Sequence, residues 1–149
     1  MKTKRVSLPQ LVKRADKEFS RYVRLRDCEY IDGQWVGECI TCGRRLVVVD
    51  ASGHWNAGSN LGHFVGRACK RLRWDEYNCN LQCAHCNAWR DKIDMLDAYK
   101  KGVDDKYGTG TWKRLVKEGK ETHKPTREEL DQVIHDSKEY CNYTLNHLI

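Results

Sequence analysis

From Leu8 onward the apolar positions fall at Leu8, Leu11, Val12, Ala15, Phe19, Tyr22 and Val23, a spacing that predicts a helix with one apolar face. Ser7 is placed to cap it and Pro9 suits its first turn. The opposite face carries Lys13, Arg14, Lys17, Arg21 and Arg24, continuing to Arg26, and residues 1 to 7 read as a mobile basic tail. A face of this kind is either solvated surface or a set of phosphate contacts that position DNA without reading its sequence. The apolar stripe is also long enough to pack against a second subunit. Cys28 to Glu38 predicts a turn at Asp32-Gly33 and a short strand, and the following RRLVVVD predicts a strand buried on both faces at Val47 to Val49. Asp50 to Asn60, rich in Gly, Ser and Asn, is expected to be a loop, with Trp55 packing inside it. Leu61, Phe64 and Val65 flank Gly62-His63 on a segment that fits one strand of a hairpin. Further on, AWRDKIDMLDAYKK has helical composition, so one helix is expected from Ala84 to about Lys101, stopped by Gly102. Gly108-Thr109-Gly110 breaks the next stretch before a short helix. A polar linker over Glu118 to Pro125 leads to the capping box Thr126 to Glu129. The stripe Leu130, Val133, Ile134, Ser137, Tyr140, Cys141, Leu145, Leu148 then predicts a last helix, for packing or dimerisation. The chain thus divides into a basic amphipathic helix over 1–30, a core over 31–117, and a linker with a C-terminal helix over 118–149.

At 149 residues the chain amounts to one domain, whose modest core a bound metal would help. Lys plus Arg exceed Asp plus Glu by 27 to 21, a net charge of +6 that is compatible with a polyanionic partner. Zinc held by four thiolates lowers this to about +4. The N-terminus, MKTKRVSLPQLVKRAD, has no apolar run able to act as a signal peptide, and no stretch approaches the ~20 apolar residues of a membrane span. The eight cysteines therefore read as thiols of a reduced, cytoplasmic, metal-using protein and not as a disulfide framework.

Four of those cysteines form two Cys-x-x-Cys pairs, Cys39/Cys42 in CITCG and Cys83/Cys86 in CAHCN. Thiolates two residues apart on a tight turn can both reach one tetrahedral zinc ion, and two such pairs complete a closed structural site. Gly43 permits a knuckle at the first pair, and helical composition follows the second, which is the arrangement of a treble-clef finger. His85 stands inside the second pair but is not expected to ligate, since four cysteines fill the site. Cys28, Cys69, Cys79 and Cys141 are irregularly spaced and read as reduced, partly buried thiols.

Between the pairs stands His63, then Asn78, and Asn87 directly follows Cys86. This order of histidine, asparagine and asparagine around a metal-bearing helix resembles the HNH, or ββα-metal, nucleases. The residue types suit that chemistry. A neutral imidazole can take a proton from water near neutral pH. An amide oxygen is a hard ligand for magnesium or manganese, and a second amide can pin the hairpin. Arg67, Lys70, Arg71 and Arg73 follow the histidine as a basic cluster, read as DNA contacts or as ordinary surface charge, and Trp74 is expected to anchor their loop.

The stretches ADKEFSRYVRLRDC (Ala15 to Cys28), CITCG, GHFVGR (Gly62 to Arg67), LRWDEYNCNLQCAHCN (Leu72 to Asn87) and DMLDAYKKGVDDKYGTGTWKRL (Asp94 to Leu115) resemble, in order, the NinG (Rap) recombination proteins of lambdoid bacteriophages. The cysteine pairs and Asn87 are also similar to the endonuclease VII type of phage resolvase. What these resemblances imply is an α+β, zinc-bound, treble-clef ββα-metal core acting in the host cytoplasm as a phage- or prophage-encoded endonuclease. Its substrate would be branched DNA, including four-way (Holliday) junctions, and its state a homodimer. They assign His63 as general base, Asn87 as ligand of a catalytic magnesium or manganese, and zinc as structural; cleavage leaves 5′-phosphate and 3′-hydroxyl ends. One departure stands out: the resolvases carry an aspartate before the histidine as second metal ligand, where this chain has Gly62, as NinG-like sequences also do. His54 and Asp75 are the unranked substitutes. Two other readings compete, a general HNH nicking endonuclease and a non-catalytic zinc-finger DNA-binding protein.

Overall fold

The computed structural model describes residues 5–147 as a mixed α+β fold with two small antiparallel sheets. Helix α1 (Leu8–Arg26) realises the first periodic stretch and buries Leu11, Ala15, Phe19 and Val23, together with Leu25 beyond the expected stripe. Pro9 sits in its first turn, and the Ser7 amide donates to Gln10 Oε1 at 3.0 Å. Of the tail expected to be mobile over residues 1 to 7, residues 1–4 lie outside the described part. Val6 departs from that expectation: its carbonyl accepts from the Arg127 guanidinium at 2.8 Å, and its side chain packs on Leu11, Ala15 and Leu130.

Two strands, not one, flank Asp32-Gly33: β1 (Cys28–Ile31) and β2 (Gln34–Glu38). Asp32 and Gly33 both take positive φ, 50° and 83°, the backbone of a two-residue hairpin turn whose twist matches its strands. Strand β3 (Arg45–Val49) completes the sheet, and the burial of consecutive Val48 and Val49 shows that both of its faces are covered at that end. Trp35, Val48 and Val49 form one core cluster with Leu25, Leu81 and Cys141.

The second sheet is the hairpin of β4 (Ser59–His63) and β5 (Cys79–Cys83), in register from Ser59 opposite Cys83 to His63 opposite Cys79. Ser59 and Asn60, expected in the loop, already belong to β4. All five residues of β5 are buried. Its other support is Asp27: the Leu81 amide donates to Asp27 Oδ2 at 2.9 Å, while Arg26 and Lys106 each reach Oδ1 at 2.8 Å.

The single helix expected from Ala84 to Lys101 is two. α2 (Ala84–Ala88) ends at Trp89, and α3 starts again at Ile93 and runs through Gly102 to Tyr107. The two answer to different partners. α2 is tied by Cys83, Cys86 and an Asn87 to Asn60 hydrogen bond, whereas α3 packs Tyr99 and Val103 against Phe64, Leu72 and Leu115. Gly102 is not a stop but a contact point, since a Cβ there would lie 2.1 Å from the Ile40 carbonyl oxygen. Only glycine lets α3 lie this close to the knuckle. α4 (Thr111–Glu118) follows the expected glycine break. α5 (Arg127–His147) begins at the expected box, with Glu129 N–H donating to Thr126 Oγ1 at 3.2 Å and Thr126 N–H to Glu129 Oε2 at 2.7 Å. It packs along α1 through Leu130, Val133 and Ile134; Leu148 of the expected stripe lies outside the described residues.

Candidate functional site

The sulfur atoms of Cys39, Cys42, Cys83 and Cys86 all lie within 4.8 Å of one another, with Cys42 Sγ 3.9 Å from Cys83 Sγ. A tetrahedral ion with Zn–S bonds of ~2.3 Å places its sulfurs ~3.8 Å apart, so the cluster has the size and the donor chemistry of a structural metal site such as zinc. The local chain explains the convergence. Gly43 at φ 72° closes the knuckle as its amide donates to the Cys39 carbonyl at 2.9 Å, and the Ile40 amide donates to the Leu81 carbonyl at 2.9 Å, joining the knuckle to β5. The Cys86 amide donates to Cys83 Sγ at 3.4 Å. His85 is exposed and outside the cluster, and Cys28, Cys69, Cys79 and Cys141 enter no comparable cluster among the described residues.

One turn of chain beyond the metal site opens a hollow of about 530 Å³. His63 comes to it from the end of β4, Asn87 from the end of α2, Asp16 and Arg24 from α1, and Arg67 and Arg73 from the loop between the β4 and β5 strands. The His63 Nε2–H donates to the Arg73 carbonyl at 2.9 Å. A carbonyl only accepts, so this contact puts the ring proton on Nε2 and leaves the Nδ1 lone pair free. Burial pushes the imidazole below its ordinary value of 6.5; Arg90 and Arg67 add to that shift, and the Arg73 carbonyl and Asp16 oppose it. His63 is therefore neutral at physiological pH.

The Arg73 carbonyl is itself held in place. Asp16 takes the Arg73 guanidinium in a two-point pair, at 2.9 Å to Nε and 2.5 Å to Nη2, and accepts from the Trp74 indole at 3.1 Å. Asn78 is fully buried and latches the loop: its Oδ1 accepts from the Val65 amide at 2.7 Å, and its Nδ2 donates to the carbonyls of Val65 and Leu72 at 3.0 Å each. Asn87 donates from Nδ2 to Asn60 Oδ1 at 3.1 Å, and its own Oδ1 makes no hydrogen bond among the described residues.

The other residues singled out in the sequence fall in different places. Arg24 lies over the Trp55 ring and donates to the Ser59 carbonyl at 3.2 Å; Arg21 faces the same indole. Lys70 and Arg71 do not reach the hollow. They line a separate depression beside α5, where Arg71 pairs with Glu121 at 3.2 Å. His54 is exposed in the loop after β3, and Asp75 caps the Tyr77 and Asn78 amides, so neither candidate for the missing ligand borders the hollow. Position 62 offers no ligand either: a Cβ on Gly62 would lie 2.3 Å from Gln82 Oε1, so any side chain there displaces a buried glutamine that donates to Thr41 Oγ1 in the knuckle. Sequence reading missed Asp16 and Arg90. Arg90 sits four residues past Cys86 in a stretch read as plain helix, and Asp16 is an acidic residue on a helix read for its basic face; neither spacing nor motif marks them.

Residues 1–146 match the family described as Bacteriophage Lambda NinG protein. The chain belongs to this family. No curated protein and no solved structure matches it. The match spans both the cysteine cluster and the hollow of this NinG-family chain, and it includes α1, which supplies Asp16 and Arg24. Among the described residues no helix is long and apolar enough to cross a membrane.

Proposed function

We propose that this NinG-family chain is a metal-dependent endonuclease with an HNH centre, cutting branched DNA such as four-way junctions. The observation that carries the reading is a neutral His63 held through Nε2 in a hollow walled by Arg24, Arg67, Arg73 and Arg90 against the single carboxylate of Asp16. With Arg73 paired to Asp16, the guanidinium groups of Arg24, Arg67 and Arg90 leave the wall positive, which suits a phosphodiester, and a histidine fixed at one nitrogen presents the other to an attacking water. The β4–β5 hairpin leading into α2, with a cysteine pair at that junction, is the order of a treble-clef ββα-metal core. Symmetric cutting of a four-way junction takes two active sites, so the reading carries a homodimer with it.

A magnesium or manganese ion would be held here by Asn87 together with substrate phosphate. Asn87 Oδ1 is a hard donor at the hollow that makes no hydrogen bond among the described residues, whereas Asp16 already holds Arg73 and Trp74. Magnesium keeps several waters and commonly uses one or two protein oxygens plus substrate phosphate. When bound, such an ion would stabilise the charge that develops on the scissile phosphate. The chain's own groups do the rest. His63 Nδ1 accepts the water proton, the arginines hold the phosphate, and Asn78 keeps the loop closed around His63. The engagement of Asp16 is also what favours the non-catalytic DNA-binding reading.

The test compares cleavage of a synthetic four-way junction and a matched linear duplex in magnesium, in manganese and in EDTA. Metal-dependent cutting of the junction alone is expected. Equal cutting of both substrates would make this a general nicking nuclease, and junction binding without cutting in either metal would make it a binding module.

A second expectation follows from the Asp16–Arg73–His63 chain. Asp16→Asn loses the two-point ion pair and frees the Arg73 backbone, and displacements of ~1 Å near reacting groups cost up to ~100-fold in rate. The rate constant at saturating DNA is expected to fall by about that order while the KM changes little. NMR titration gives an independent reading: without the Asp16 charge, which raises the His63 value, the imidazole should titrate still lower than in the wild type. An unchanged titration and rate would show that the pair serves stability alone.

A further inference from the structure

The five tryptophans are not used alike. Trp35 is 6% exposed and packs in the core, Trp55, Trp74 and Trp112 are half-buried, and Trp89 is 47% exposed and belongs to no core cluster. It stands on the break between α2 and α3, a stretch without glycine or proline, in which Arg90 turns into the hollow while Trp89 and Ile93, the latter 74% exposed, stay in solvent. One face of the indole carries the Lys92 ammonium at 4.2 Å from the ring centre. An exposed indole with a cation on one face, flanked by Lys92 and Arg90 and two residues from Asn87, is a surface for a planar, electron-rich ring attached to a phosphate chain.

We propose that Trp89 is the stacking platform for a base whose stacking is interrupted at the branch point of DNA, and so the element that distinguishes branched from linear substrates. This rests on the reading of the hollow as the site that holds the scissile phosphate. In an uninterrupted duplex both faces of every base are already stacked, so Trp89 gains nothing from it; at a branch a base is free to take the open indole face. Trp89 is two positions after Asn87, at most ~7 Å between Cα atoms, which is about two base steps of ~3.4 Å each. The cut is therefore expected within one or two nucleotides of the branch.

The experiment uses the full chain, as wild type, Trp89→Ala and Trp89→Phe, in EDTA so that binding is read without cleavage. Each is titrated with a four-way junction carrying 2-aminopurine at the branch and with a matched linear duplex, and its oligomeric mass is measured by light scattering. Wild type is expected to quench the branch fluorophore. Trp89→Ala should lose the quenching and bind the junction about 5- to 150-fold more weakly, with duplex affinity and mass unchanged, and Trp89→Phe should retain most of both. Loss of junction and duplex binding by the same factor, unchanged junction binding, no junction binding by wild type, or a changed mass in Trp89→Ala each overturns the proposal; the last would make Trp89 a contact between copies of the chain. Should wild type bind and quench as described yet cut in neither metal, the nuclease reading falls and the stacking platform stands.

Discussion

His63→Ala is expected to abolish cleavage while leaving a folded protein that still binds DNA. Removal of a general base typically slows a reaction ~100- to 10,000-fold, and His63 makes a single side-chain hydrogen bond, to the Arg73 carbonyl. The loop around it does not depend on that bond, because Asn78 holds Val65 and Leu72, and Asp16 holds Arg73. Single-turnover cleavage of an end-labelled junction, thermal unfolding, and a gel shift in EDTA read the three quantities separately. Retention of wild-type cleavage to within a few-fold would exclude His63 as the base. The wild type also carries a pH signature. With His63 as the base the neutral imidazole would be the active form, and burial lowers its proton affinity below the ordinary 6.5. As pH falls, His63 stays neutral past the point at which a free histidine takes up its proton, so the acid limb of the rate profile should lie below 6.5 and disappear in the alanine variant.

Stripping the metal from the four cysteines is expected to unfold the centre of the molecule. Structural zinc contributes an apparent ~10–16 kcal/mol in small zinc domains, as much as the whole ~5–15 kcal/mol stability of an ordinary domain. The dependence is visible in the parts it joins. α2 has five residues, far short of the ~12 that an isolated helix needs, and two of the four sulfurs come from its start. The knuckle touches β5 through the Ile40 amide and α3 through Gly102, so both lose their seat when it opens. Cys83→Ser should have the same effect at every chelator concentration. Metal content per chain, far-UV circular dichroism and melting before and after a strong chelator are the measurements. A metal-free protein that melts at the wild-type temperature would sink the idea. Magnesium is not expected to restore the fold, since four thiolates are soft donors.

What the sequence disclosed follows the range of the interactions involved. The α1 stripe, the Asp-Gly turn, the α5 capping box and the cysteine spacing are local, and each was readable from a few neighbouring positions. The hairpin that brings His63 opposite Cys79 was also foreshadowed by its apolar flanks. The break at Trp89 to Lys92 left no local mark, because it arises where α2 and α3 obey different distant partners. Gly102 misled for the same reason: a glycine in a helical stretch reads as a terminus, whereas its cause is the Ile40 carbonyl 62 positions earlier. Asp16 was invisible because a carboxylate gains meaning only from the Arg73 and Trp74 that the fold sets against it. The basic run after His63 looked like one patch, yet the loop turns Arg67 and Arg73 to the hollow and Lys70 and Arg71 to α5.

The Asn78 latch has a consequence for how such proteins diversify. With Val65 and Asn78 clasped together, the fourteen residues from 65 to 78 form a closed pouch on the hairpin, and their length is decoupled from the strands beneath. The half nearer Asn78, from Leu72 onward, is committed to holding His63 and to the core. The half from Gly66 to Arg71 gives Arg67 to the hollow and Cys69 to the neighbouring core, while Lys70 and Arg71 face α5, where their side chains can change without moving the hairpin or the cysteine cluster.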